Sequence, residues 1–294
     1  MRLRVRVPAT TANVGAGFDC VGIALDWYDE LTLETTDSGI ELEVTGEGAE
    51  QVPLDEAHLV VATIRRGLEE WGDGRLPGLR LRSHNTIPHS RGLGSSAAAI
   101  AAGLAFAWGI AHGPDIDRTE LGRMASLLEG HADNAAAAVF GGATLGWIED
   151  QQVTINPLRL HDALHTRVWV PEFEVPTKGA RAVLPEQIQR LDGVAQAATA
   201  AHLIIALDQR PDLLLRATTD RLHQAYRAPL MPESHALMTE LRAAGIPATI
   251  SGAGPTIFAI GTTEQLRAAD TVVHEGFRSM ELAIGRGVEL HSED

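Results

Sequence analysis

Apolar and polar residues alternate over residues 2–7 (RLRVRV), 30–36 (ELTLETT) and 39–46 (GIELEVTG), the period of a strand with one buried and one wet face. The period lengthens over residues 58–72 (HLVVATIRRGLEEWG), which predict a helix stopped by glycine, and shortens again over residues 78–85 (GLRLRSHN), a further strand. Residues 96–112 and 119–130 predict two helices, and the glycine-marked stretch FGGATLGWIE predicts a strand. Beyond about residue 155 the order changes. TRVWV predicts a strand, several helices are expected across residues 177–244, and IPATISGAGPTIFAIG predicts strand, tight turn and strand. Without strict strand–helix alternation, repeats or a long linker, this order predicts an α+β protein of two packed domains, 1–155 and 156–294.

Charge and composition narrow the choice of ligand. A formal charge of -15 over 294 residues argues against nucleic acid and against an anionic membrane surface, both of which need basic patches. An anionic ligand must therefore be met by local groups. One cysteine, Cys20, rules out an internal disulfide and a cysteine-based metal cluster. The opening MRLRVRVPATT lacks the apolar stretch of a signal peptide, so a cytoplasmic protein is expected. The longest apolar run, residues 97–111, is too short to cross a bilayer and reads as a buried helix. Lys178 is the only lysine, so the phosphate loop that ends in Gly-Lys-Ser/Thr cannot be written.

One stretch nonetheless suits phosphate. In PHSRGLGSSAAA a predicted strand feeds a loop with Gly92 and Gly94, then Ser95 and Ser96 at an expected N-cap, then a helix of alanines. A helix start offers free N–H groups and the positive end of the helix dipole, the glycines admit a close approach, and Arg91 supplies charge nearby. Taken alone this reads first as the cap of an ordinary helix. Two companions carry less by themselves: VPATTANVGAGFDCVG crowds Thr10, Thr11, Asn13 and Asp19 into a turn, and ISGAGPTIFAI is a hairpin meeting at Gly252 and Gly254.

Together, Pro-x-x-x-Ala-Asn-x-Gly-x-Gly-Phe-Asp, Gly-Leu-Gly-Ser-Ser-Ala-Ala and Ser-Gly-Ala-Gly-Pro-Thr resemble, in order, the three motifs of the GHMP kinases. EGHADNAAAAVFGG, VPTKGARAVLP and HQAYRAPLMPE extend the resemblance over essentially the whole chain and bring it nearest to the homoserine kinase family. Thr11 and Ala16 stand where that family commonly has serine and proline. The resemblance implies an N-terminal domain like ribosomal protein S5 domain 2, a C-terminal ferredoxin-like α/β sandwich, and transfer of the γ-phosphoryl group of ATP to the L-homoserine hydroxyl with Mg2+. A homodimer is the expected assembly. A kinase for a mevalonate-like alcohol and a silent nucleotide-binding regulator are the rival readings. No Gly-x-Ser-x-Gly elbow exists to support a serine hydrolase.

The same resemblance implies roles. Pro88, His89, Ser90, Arg91, Gly92, Leu93, Gly94, Ser95, Ser96, Ala97 and Ala98 would wrap ATP, and Ser95 with Glu129 would hold magnesium, which asks only for a few hard oxygen ligands. Asn13, Asp19, His131, Thr177, Arg181, Arg227 and Gly252 would contact the amino acid, with Thr177 a candidate cap for a short helix. Arginine's fork suits the carboxylate. Asn134 stands where many GHMP kinases have an aspartate base, so alignment by Asn134 and Ser95 could replace a protein base; Asp19 is either that base or the clamp for the ammonium group.

Overall fold

A computed structural model describes residues 1–272 and 275–293. The N-terminal alternation becomes two long antiparallel strands, β1 (Arg2–Asn13) and β2 (Gly17–Thr36), joined by a tight turn. Leu3, Val5 and Val7 face the core while Arg2, Arg4 and Arg6 face out; Arg4 pairs with Glu30 at 2.7 Å on the next strand. β3 (Ile40–Gly46) lies parallel to β4 (Gly78–Asn85), which pairs with β2. β5 (Ala143–Glu149) pairs with the inner end of β2 and with β6 (Gln152–Leu158).

Four helices cover one face of this sheet: α1 (Leu59–Trp71), α2 (Ser95–His112), α3 (Arg118–Glu129) and α4 (Ala132–Phe140). α2 is long and apolar enough to span a bilayer by length and composition, but it is the central core helix, with most of it buried. Its small residues set the spacing. A Cβ on Gly103 would lie 2.7 Å from Thr63 Cβ and 2.8 Å from the Val60 carbonyl, so α1 and α2 touch nearly backbone to backbone.

The second sheet, in the order β10-β7-β9-β8, is antiparallel and built from β7 (Leu164–Pro171), β8 (Ala248–Ile250), β9 (Ile257–Thr262) and β10 (Phe277–Leu282). The helices α5 (Thr177–Ala182), α6 (Arg190–Asp208), α7 (Leu214–Ala217), α8 (Gln224–Arg227), α9 (Pro232–Ala243) and α10 (Thr263–Leu266) accompany it. A last strand, β11 (Glu289–Ser292), returns to pair with β1. The expected division at residues 155 and 156 therefore falls inside β6, and the chain end belongs to the first sheet. Hydrophobic patterning marks which face of β11 is buried but not which distant strand it joins.

Where β4 gives way to the glycine loop, Asp29 on β2 accepts hydrogen bonds from the backbone N–H groups of Thr86 (2.5 Å) and Ile87 (2.9 Å). This carboxylate is only 6% exposed. Burial outweighs the two bonds and the nearby His84, lifting its pKa from 3.8 to about 6. The folded chain thus keeps the extra proton between those values, so this group's contribution to stability falls as pH rises through that window. Asp29→Asn retains the accepting oxygen and cannot ionise. Urea melts at about pH 4 and pH 7 are expected to show the wild type losing on the order of 3 kcal/mol relative to the variant. A pH-independent difference between the two proteins would refute the assignment.

Candidate active site

The glycine loop between β4 and α2 is held open by its neighbours' backbones. Gly92 has φ +72°, and a Cβ there would lie 2.2 Å from the Ser251 carbonyl oxygen; Gly94 has φ +70°, and a Cβ there would meet Thr10 Oγ1 at 1.9 Å. Glycine is thus needed at position 94 for packing against Thr10, ahead of any approach by a ligand. The Thr10 N–H donates to the Leu93 carbonyl (3.0 Å) and its hydroxyl to Asn134 Oδ1 (2.7 Å). Ser251 Oγ lies 2.8 Å from Thr11 Oγ1 and donates to the Gly92 carbonyl at 2.5 Å. The three motifs meet in one knot.

α2 begins at Ser95, with Gly94 as the N-cap in a left-handed conformation and no side-chain cap bond. The expectation that Ser95 and Ser96 cap the helix is corrected: both lie inside its first turn, where their backbone N–H groups remain available. Ser96 Oγ instead donates to Glu129 Oε2 at 3.1 Å. Burial raises the Glu129 pKa, against the opposing effects of His131 and of the Ser96 bond.

One cavity runs from this helix start across the ends of α3 and α4 to α5 and α8. It is lined by Asn13, Asp19, Ser90, Gly92, Gly94, Ser95, Ser96, Glu129, His131, Asn134, Thr177, Arg181, Arg227 and Gly252, all expected site residues, and by Asp133 and Ala253. Asp19 and Arg181 face each other across it in a two-pronged ion pair of 2.9 and 3.0 Å. Arg227 is buried. Its Nε donates to the Ala180 carbonyl (2.9 Å) and its Nη1 to the Gly252 carbonyl (3.0 Å); Nη2 has no hydrogen-bond partner among the described residues. Asn13 donates from Nδ2 to the same Gly252 carbonyl (2.9 Å) and accepts from the Asp19 N–H (3.0 Å). Backbone strain gathers here, since Asn13, Val14, Asp19 and Ser90 all have positive φ.

His131 Nδ1 lies 2.5 Å from Asp133 Oδ1. Burial disfavours its charge, but Asp133, Glu129 and Asp19 outweigh burial and raise its pKa. Arg181 and Arg227 stand among Asp19, Glu129 and Asp133 around the same cavity. Among the described residues no set of three or more His, Cys, Asp or Glu side chains could hold a metal. One carboxylate beside two serines is nonetheless a donor set of hard oxygens, sufficient for Mg2+ once phosphate and water complete the shell.

Some expected contacts lie elsewhere. Arg91 is turned away, its guanidinium spent on the carbonyls of Pro171 (3.0 Å), His89 (3.0 Å) and Glu172 (2.5 Å) and on Glu174 (3.2 Å). It ties the loop to the end of β7. The side chains of Pro88, Leu93, Ala97 and Ala98 are buried and line neither this cavity nor the next. Thr177 is the first residue of α5, not its cap, which is Pro176. The Gly252 peptide is already engaged through its N–H, on the Ala12 carbonyl, and through its oxygen.

A second cavity of about 290 Å³ opens from His89, Ser90, Ser95 and Ser96 toward Val7, Leu31, Val52, Pro53 and Val60. The sequence reading missed it. His58, just ahead of α1, is buried there, and its Nδ1 has no hydrogen-bond partner among the described residues. A polar residue directly before the run LVVATI was the available signal.

Residues 58–142 match the family model "GHMP kinases N terminal domain" and residues 198–277 match "GHMP kinases C terminal". A homoserine kinase of Cutibacterium acnes is 50% identical over 291 residues, covering 98% of each chain, and one of Streptomyces avermitilis is 45% identical over 98% of this chain and 95% of its own. The crystal structure of homoserine kinase from Cytophaga hutchinsonii superposes with a TM-score of 0.84 at 30% identity, covering 99% of this chain and 97% of that one. Mevalonate diphosphate decarboxylase from Enterococcus faecalis shares the fold at a TM-score of 0.68 and 17% identity, over 99% of each chain.

Because a Cβ at position 94 has nowhere to go, Gly94→Ala is expected to destabilise the ligand-free protein by about 2 kcal/mol through strain and crowding. Chemical denaturation without nucleotide measures this. Wild-type stability in the variant would mean that the position is reserved for a ligand alone.

Proposed function

The chain belongs to the homoserine kinase family of the GHMP kinases, and on that premise we propose how its two cavities divide the work of phosphorylating L-homoserine with ATP to give O-phospho-L-homoserine. The observation that carries this division is the adjacency of a bare helix N-terminus to a pocket with opposite charges, Asp19 and Arg227, on its walls. The first suits a polyphosphate, the second a zwitterion.

The nucleoside end of ATP occupies the cavity beside His58, whose unpartnered Nδ1 offers a polar contact to the base. The phosphates cross Ser90 and Gly92 to the first N–H groups of α2. Ser95, Ser96 and Glu129 would hold Mg2+, which supplies charge neutralisation to the phosphate oxygens when bound. The amino acid's ammonium group meets Asp19 and Asn13. Its carboxylate meets Arg227 Nη2 and the Arg181 fork, so substrate exchanges the internal Asp19–Arg181 pair for one partner at each of its own charges.

Asn134 accepts from Thr10, which leaves its amide N–H groups to face the transferring phosphoryl group. Asp133 is bonded to His131, and Asp19 is given over to the substrate's ammonium group; neither stands as a free base. The hydroxyl oxygen attacks phosphorus, the bond to ADP breaks, and the hydroxyl proton passes to the transferring group. Alignment and charge supply the acceleration.

ADP release on homoserine, mevalonate and galactose tests the substrate reading, with turnover expected on homoserine alone. Asp19→Asn is expected to raise the homoserine KM about tenfold or more, roughly 1.4 kcal/mol, while kcat falls less. A loss confined to kcat would make Asp19 the base instead. Glu129→Gln is expected to raise several-fold the Mg2+ concentration that gives half-maximal rate, with the homoserine KM little altered. An unchanged Mg2+ requirement would remove Glu129 from the metal's shell.

A further inference from the structure

His223 precedes α8 and is wholly buried, outside the lining of both cavities. Its Nε2 is 3.0 Å from the Gly15 carbonyl oxygen and 3.5 Å from Asp220 Oδ1. Its Nδ1 is 3.4 Å from Arg227 Nη1. The ring also stacks on Phe18, with centroids 5.1 Å apart and planes 21° apart, and the Arg227 guanidinium lies 5.7 Å from the centre of the same Phe18 ring. Gly15 lies in the turn between β1 and β2, and Phe18 directly precedes Asp19 at the start of β2. One imidazole therefore touches both halves of the amino-acid clamp: the segment carrying Asp19 and the arginine facing it.

The contacts fix the proton. A guanidinium only donates, so the nitrogen facing Arg227 must be a bare acceptor, and the proton belongs on Nε2, which faces a carbonyl and a carboxylate. Burial holds the ring neutral, reinforced by Arg227 and opposed by Asp220 and the Gly15 carbonyl. Asp220 in turn accepts from the N–H groups of Leu222 (2.9 Å), His223 (2.9 Å) and Gln224 (2.7 Å), which pins the backbone that aims the imidazole.

We propose that His223 is a positioning residue for the amino-acid substrate, its Nε2–H tautomer fixing the distance between Arg227 and the segment that carries Asp19. The proposal rests on the assignment of those two residues to the substrate's charges. None of the residues His223 touches lines the nucleoside cavity, so its influence belongs to homoserine affinity and not to ATP.

His223→Phe keeps a ring against Phe18 and removes both polar contacts. His223→Gln keeps an N–H able to reach toward Gly15, and His223→Asn keeps an oxygen near the place of Nδ1. The Phe variant is expected to raise the homoserine KM about tenfold or more, with ATP KM and kcat within about twofold of wild type, and the Gln and Asn variants are expected to recover part of the loss. If the Phe variant does not fold, the other two decide by the same comparison of KM values. An unchanged homoserine KM in a folded variant, or an ATP KM that rises as far as that for homoserine, overturns the proposal. Homoserine turnover by the wild type is read separately, so failure of the substrate assignment is not confused with failure of the role given to His223.

Discussion

Three backbone segments converge at a point that the side chains of Thr10, Thr11 and Ser251 already fill. The end of β1, the glycine loop and the β8–β9 turn approach so closely that a single added carbon at Gly92 or Gly94 would collide with Ser251 or Thr10. This contact brings strands from both sheets to the start of α2 and leaves the helix's first N–H groups without a cap. A capping side chain would satisfy those donors and close the site to an anion. The protein leaves them bare, and ligand oxygens are the natural acceptors.

The second organising feature is local charge balance within an acidic chain. With a formal charge of -15, the protein places Arg181 and Arg227 against Asp19, Glu129 and Asp133 around one cavity. The Asp19–Arg181 pair is partly solvated, which makes it exchangeable, whereas Arg227 is buried and held by two carbonyls. An exposed ion pair is worth little, so a substrate bearing both charges can split it at small cost. A substrate bearing only one would leave a partner unsatisfied.

Much of the site was legible because its chemistry sits in short, contiguous blocks. Asn13 and Asp19 flank one turn, Ser95 and Ser96 open a helix, and Glu129, His131 and Asn134 lie within one helix junction. The misreadings share a cause. Arg91 could have pointed to phosphate, but the end of β7 passes close by and offers the Pro171 and Glu172 carbonyls to two of its nitrogens, while the His89 carbonyl of its own loop takes the third. Thr177 and Gly252 line the cavity, yet the cap of α5 falls to Pro176, and the Gly252 carbonyl serves Asn13 and Arg227. The cavity beside His58 went unread because its walls come from β1, β2, β4 and the approach to α1, and ordinary core residues carry no local mark of a shared void.

Sequence alone determined many of the elements, because hydrophobic period and glycine punctuation act over a few residues: β4 lies where alternation predicted it, and the helix starts differ by one residue at Ser95, Arg118 and Leu59, whereas α4, β6, β10, β11 and the first half of β2 were not predicted. It also determined that phosphate could be met without a Gly-Lys loop, and which three motifs had to act together. Tertiary structure alone decided that β11 closes the first sheet, that Arg181 rests on Asp19, and that His223 bridges Arg227 and the Gly15–Phe18 segment. Those are contacts between residues up to about three hundred positions apart, and a pattern that repeats every two or four residues holds no information about which distant partner completes a hydrogen bond.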